Sequence, residues 1–326
     1  MKTGIDCCDM ARGRGPAARW KTAACAVVLA LLPIAAGAAD VRVLTAADGL
    51  PSSWVTAVAG APGGKLWVGT GDAGVYLLDP ATRAGKGYRA SDGLSSDAVV
   101  SIAAFRGKVY VGTSAGLSVL DGDKWSTIAK VENVTMRNVR LAASADGKEL
   151  WACSVYLAGG TVRFDGAEWK FMGGQGRGLF NDVQGFAFLP GEVLMGLGSG
   201  AVYLRRGPDV QLVAGGLPPS NVFAVGTLGT KWIAGTSRGL FQFDGKWTPV
   251  ALPAGFAGSA VFAIASTEGA AVAGTDAGLA RVAGAGGARV LTASDGLPSG
   301  RITSVAVTGG VVAAGTTGGL AIVRGW

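Results

Sequence analysis

The chain has 326 residues, enough for one large core or two modest ones, and 55 of them are glycine, more than twice the ~7% usual in globular proteins. Apolar residues make up 49% and charged residues only 16%, which excludes a disordered tail and points to many short strands joined by tight turns. There is no histidine, so Ser-His-Asp and Cys-His nucleophile systems, imidazole acid/base catalysis and histidine metal ligation are all excluded, and no cofactor or metal is expected.

In chain order, the basic residues Lys2, Arg12, Arg14, Arg19 and Lys21 precede an apolar run over 22–36, and Ala36-Gly37-Ala38 supplies the small residues of a cleavage site. Residues 1–38 therefore read as a secretory signal peptide, with Met10 an alternative start, and 39–326 as the exported domain, periplasmic or secreted. The run is shorter than the ~20 residues of a spanning helix, so no stable membrane insertion is expected once the leader is removed. The leader carries much of the net charge of +7; the remainder holds 24 basic against 20 acidic residues, and this excess of +4 is too mild for a nucleic-acid partner. Cys7, Cys8 and Cys25 also lie in the leader, which leaves Cys153 alone and rules out a disulfide framework within one mature chain.

Beyond the leader, a repeat organises the sequence. A small residue closes an apolar segment at Gly69, Gly112, Cys153, Gly196, Gly235, Gly274 and Gly315, with spacings of 43, 41, 43, 39, 39 and 41. In the first unit, 55–59, 65–68, 75–78 and a segment around Tyr88 read as strands a to d. Asp121-Gly122, Asp165-Gly166 and Asp244-Gly245, placed before Trp125, Trp169 and Trp247, mark tight turns from strand c to an outer strand d. Four strands every ~40–45 residues predict an all-β fold, a seven-bladed β-propeller. The last unit stops after its strand c, 320–323, and residues 42–45 within the segment 41–45 duplicate strand d of unit six, 289–292. The N-terminal strand is therefore expected to complete the last blade, which leaves no open sheet edge at the ring closure.

Strands running alternately up and down gather the d-to-a and b-to-c connections on one face, where residues just before the innermost strand a crowd the mouth of the central channel. The polar or bulky residues there are Trp54, Asp97, Arg137, Asn138, Asn181, Asp182, Asn221 and Arg301, with Asp72, Tyr156, Arg238 and Asp276 on the b-to-c loops at the periphery. Ser, Asn and Asp at strand entrances are also ordinary turn residues; Trp54, Asp97, Arg137, Asp182 and Arg301 depart most from the small residues of the repeat. Trp67, Tyr110 and Trp151 read as inter-blade core, and Cys153 as a small buried filler.

The segments Asp48-Gly49-Leu50-Pro51-Ser52-Ser53, Asp92-Gly93-Leu94-Ser95-Ser96-Asp97 and Asp295-Gly296-Leu297-Pro298-Ser299, each followed by strand a and then Gly-Thr, resemble two-component regulator propeller repeats. That family's pattern is Asp-Gly-Leu-Ser-Ser-Asn, a valine strand, then Leu-Trp-Ile-Gly-Thr. The resemblance extends to all seven units in form and is sharp in units one, two and seven. It implies the extracytoplasmic ligand-sensing part of such regulators, often directed at carbohydrate fragments. The sequence carries no apolar span after the propeller, no kinase and no phosphoacceptor histidine, so what carries over is a non-catalytic binding propeller without its kinase.

The expected partner is a small-molecule or glycan-like ligand, or a partner protein such as a separate membrane sensor. Two other classes stand beside this: a glycoside hydrolase or polysaccharide lyase using carboxylates such as Asp97 with Asp182, or Asp72 with Asp276, and a structural assembly scaffold.

Overall fold

Seven four-stranded antiparallel sheets follow one another along the chain in the computed structural model, which describes residues 39–155, 159–173, 180–213, 215–284 and 287–326. The leader and Tyr156 lie outside the described residues. Blade 1 consists of Val55–Gly60, Leu66–Thr70, Val75–Leu78 and Gly85–Tyr88, hydrogen-bonded in that order as strands a to d. The other strands a are Val99–Phe105, Val139–Ala143, Val183–Leu189, Val222–Leu228, Val261–Thr267 and Ile302–Thr308. Each packs against the strand a of the next blade, and the seventh packs against the first, so the ring is closed. This is the seven-bladed β-propeller that the repeat predicts.

Closure uses the N-terminus. Asp40–Leu44 pairs antiparallel with the last strand, Gly319–Arg324, in the register Asp40 with Arg324 through Leu44 with Leu320. It is the fourth strand of blade 7. Leu44 is buried between Leu50, Leu320 and their neighbours. Burying a leucine contributes about 1.5–3 kcal/mol in addition to the strand's backbone hydrogen bonds.

The core lies between blades. Ala57, Trp67, Val75 and Tyr88 of blade 1 form one buried cluster with Leu94, Val99, Val111 and Leu120 of the next repeat. Trp151 and Cys153 share another with Phe186 and Met195. Strand b has a small residue next to its end because the following blade comes so close: a Cβ on Gly69 would fall 2.4 Å from a methyl of Val99. Cys153 fills the equivalent position in blade 3, fully buried, and burial pushes its thiol up to about 11. The Thr of the Gly-Thr pair then fixes the loop. Thr70, Thr113, Thr236, Thr275 and Thr316 are fully buried, and each donates its hydroxyl to the carbonyl of the loop's closing glycine at 2.8–3.0 Å.

The Asp-Gly-Leu motif has an equally local cause. Asp48 and Asp295 end short 3-10 turns, and each accepts the backbone N–H and the hydroxyl of the threonine three residues earlier. Gly49, Gly93 and Gly296 follow at φ 97°, 109° and 98°, a region that favours glycine. Leu50, Leu94 and Leu297 then turn into the core.

One element has no counterpart in the repeat. Lys130–Val131 and Val134–Thr135 form a small hairpin between blades 2 and 3, with Val131, Val134 and Met136 buried. Its turn residue Glu132 adopts φ 46° without being glycine or asparagine, so composition does not announce the turn.

Candidate functional site

Six of the seven strands a begin with the same irregularity. In blade 1, Val55 pairs with Thr70 and Ala57 with Gly69, leaving Thr56 as an extra, bulged residue. The same shift occurs in blades 2, 4, 5, 6 and 7. Blade 3 is regular: Val139 pairs with Ser154 and Arg140 with Cys153. A bulge re-aims a side chain, and here the second residue of each strand a lines the channel: Thr56, Val100, Arg140, Gln184, Phe223, Phe262 and Thr303. Two hydroxyls of this ring also tie blades together. Thr56 donates to the Val99 carbonyl at 2.7 Å and Thr303 to the Val55 carbonyl at 2.6 Å.

The cavity they enclose measures about 230 Å³. Phe223 and Phe262 lie side by side, centroids 5.2 Å apart and planes inclined by 34°. Arg140 is the one charged side chain among the lining residues. Desolvation by the surrounding protein holds its pKa below the ordinary guanidinium value. Among the described residues, no carboxylate pairs with it within ion-pair distance.

Immediately above this ring sits the residue preceding each strand a: Trp54, Ala98, Asn138, Asp182, Asn221, Ala260 and Arg301. In six blades its carbonyl accepts the N–H of the first b-to-c loop residue, Gly71, Ser114, Val155, Gly198, Ser237 and Asp276 in turn, at 2.9–3.5 Å. That bond sets the side chain over the loop. The Trp54 indole covers Gly71, where a Cβ would fall 2.4 Å from its ring, and it remains 48% exposed. The Asp182 carboxylate similarly covers Gly198 and accepts the Gln184 amide at 2.6 Å. Asn221 donates its amide to the Gly198 carbonyl. Arg301 places its guanidinium 4.4 Å from the centroid of Phe262, a cation–π contact. Arg301 and Asp182 thus touch Phe262 and Gln184 of the channel ring, while Trp54 and Asn221 rest on the b-to-c loops beside it.

The remaining sequence candidates are placed as follows. Asp97 accepts the Ala90 N–H with its carboxylate at 2.7 Å, as Ser53 Oγ accepts that of Ala46 in blade 1. Its carboxylate is thereby engaged in the connection. Arg137 is exposed and donates its backbone N–H to Ser154 Oγ, while Asn138 adopts φ 47° at the start of the regular strand a. Asn181 is half-buried beside Asp182. Asp72, Arg238 and Asp276 are exposed on the b-to-c loops of the same face, and Tyr156 is not among the described residues. Sequence reasoning missed Arg140, Gln184, Phe223 and Phe262. Polar residues within the innermost strand, such as Arg140 and Gln184, are the signal that could have found them.

A larger cavity of about 410 Å³ lies on the opposite face, between the a-to-b turns of blades 3 and 4. Three of its charge pairs are matched, Arg163 with Glu149 at 2.8 Å, Lys148 with Asp146 at 3.0 Å, and Glu192 with Arg206 at 2.6 Å, while Arg205, which also lines it, lies over the Trp151 ring. The channel mouth adds an exposed indole to a cation that no carboxylate among the described residues pairs. Among the described residues no cluster of three metal-ligating side chains occurs.

No protein-family model and no curated protein matches the sequence. Solved structures do match. The chain is similar to the extracellular domain of the hybrid two component system BT3049 from B. thetaiotaomicron (TM-score 0.72, 21% identity), over 87% of this chain and 41% of that one. The extracellular domain of BT4673 from the same organism is similar (0.69, 16%), over 87% and 39%. Virginiamycin B lyase from Staphylococcus aureus also matches (0.68, 11%), over 88% and 98%. The chain thus spans about two-fifths of the length of these two extracellular domains. At these identities the likeness establishes the propeller fold. No helix of the described residues is long and apolar enough to cross a membrane.

Proposed function

We propose that this protein is an exported, non-catalytic propeller that binds a small or glycan-like ligand over the channel mouth and acts as the sensing or capturing part of a larger signalling assembly. In this reading residues 1–38 are its signal peptide, and a separate membrane protein is the natural recipient of the bound state. The observation that carries it is the ring before strand a. Where the fold would accept one small residue seven times, the chain places an indole, a guanidinium, a carboxylate and two amides around one opening. An exposed aromatic face with directional donors and acceptors suits a sugar ring or a small organic molecule. Extracellular domains of two-component systems among the structural relatives support the sensing role.

The lyase relatives give a second reading less support. A variant of that lyase with a histidine replaced by alanine is described as catalytically inactive, and this chain has no histidine. Of the acids considered for a carboxylate pair, Asp97 is bound to Ala90 and Asp182 to Gln184.

The test is a thermal-shift screen of the purified protein against monosaccharides, oligosaccharides and small metabolites, followed by titration of the hits. Trp54→Ala and Arg301→Ala should each weaken binding by about 1–3 kcal/mol with little change in melting temperature, and Lys124→Ala on the opposite face should leave it unchanged. Hits indifferent to both mouth substitutions would remove the site from this reading.

A further inference from the structure

The channel holds a charge without a counter-charge among the described residues. Arg140 stands on the only strand a that lacks the bulge, and the other six positions of its ring, Thr56, Val100, Gln184, Phe223, Phe262 and Thr303, are all neutral. The one acid nearby in the mouth ring, Asp182 of the next blade, is turned to Gln184. A guanidinium cannot shed its proton at physiological pH, so this cation stays charged and, being solvent-accessible in the channel, is open to an incoming anion.

Across the channel stand Phe223, two blades away, and its neighbour Phe262, three blades away. The cavity between is about 230 Å³, below the ~300–1,000 Å³ of drug-sized ligand pockets. We infer that the channel is a carboxylate-binding site: the ligand of the mouth carries a carboxylate that Arg140 takes, with an apolar or planar body against Phe223 and Phe262. A planar guanidinium matches a carboxylate with two parallel hydrogen bonds. This rests on the mouth being a ligand site and specifies the chemical class of its ligand.

The experiment compares charged and uncharged partners of one shape. Phenylacetate and phenylacetamide, and galacturonate and galactose, are titrated into the purified protein at low and high chloride. The carboxylate of at least one pair should bind about tenfold or more tighter than its neutral counterpart. Arg140→Gln should erase that preference, Arg140→Lys should keep only part of it, and chloride should weaken it.

A second measurement needs no ligand. Because Arg140 has no carboxylate partner among the described residues, Arg140→Gln should melt at the same temperature as the parent or higher. A marked fall in melting temperature would make Arg140 a structural residue and overturn the inference. So would the absence of any carboxylate preference. If neutral sugars bind and depend on Trp54 while Arg140→Gln changes nothing, the mouth remains a site and only the carboxylate assignment falls.

Discussion

The indole of Trp54 lies against the backbone of Gly71, so close that a Cβ at that glycine would sit 2.4 Å from the ring. The absence of a side chain at Gly71 is thus what allows the platform to rest flat on the b-to-c loop. Gly71→Ala should push the indole out toward solvent while leaving the core intact, because the displaced ring is already half exposed. The expected result is a melting temperature near that of the parent, greater acrylamide quenching of a fluorescence component absent from Trp54→Phe, and loss of affinity similar to Trp54→Ala. Unchanged quenching would mean that the ring does not depend on the glycine.

The terminal pairing predicts a stability effect. Deleting 40–44 removes the fourth strand of blade 7, its backbone bonds to Gly319–Arg324 and the buried Leu44. Each lost hydrogen bond costs about 0.5–1.5 kcal/mol net, and the bared edge becomes a template for association. Scanning calorimetry should show a lower melting temperature, and light scattering should show aggregation. A deletion variant that melts with the parent would contradict the pairing.

Stability should be flat across the middle of the pH scale and fall at both ends. Hydrogen bonds from Ser144 and Lys148 hold the Asp146 carboxyl at about 2, and those from Thr45 and Thr292 hold Asp48 and Asp295 below the ordinary carboxylate value. A depressed folded pKa gives a contribution that is complete above the unfolded value near 4 and is lost as pH falls through the folded one. Burial raises the Cys153 thiol to about 11, so its contribution is complete below its unfolded value and is lost as pH rises toward 11. With no histidine in the chain, nothing of that kind titrates between. Melting temperatures measured from pH 2 to 11 should form a plateau from about pH 5 to 8; a step near pH 6.5 would be incompatible with this account.

The blades were legible because each imposes a local requirement that recurs: a small residue where strand b meets the next blade at Gly69, a threonine clamp at Thr70, a left-handed glycine at Gly49. The closing strand was legible from the likeness of 41–45 to 289–292, and its observed span, Asp40–Leu44, differs by one residue at each end. The outer ring of the mouth was legible because Trp54 and Arg301 break a pattern of small residues. The inner ring was not. A bulge inserts one residue and reverses the alternation of faces after it, so Phe223 and Phe262 read as ordinary apolar strand residues although they face the channel. Asp97 shows the opposite difficulty: Ser53 does the same work in blade 1, so its charge drew attention to a position whose task is to hold the chain.

The partnership of Asp40 with Arg324 has a consequence for biogenesis. A chain made from its N-terminus exposes the Asp40–Leu44 strand long before its partner exists, and the hydroxyl of Thr303 meets the Val55 carbonyl across 248 residues of sequence. Six blades can form as the chain lengthens, but the ring locks in one late, long-range step that a truncated product cannot take. The joint between these two strands is therefore the last contact open to a growing chain, and until it forms the edge of Gly319–Arg324 stays unpaired.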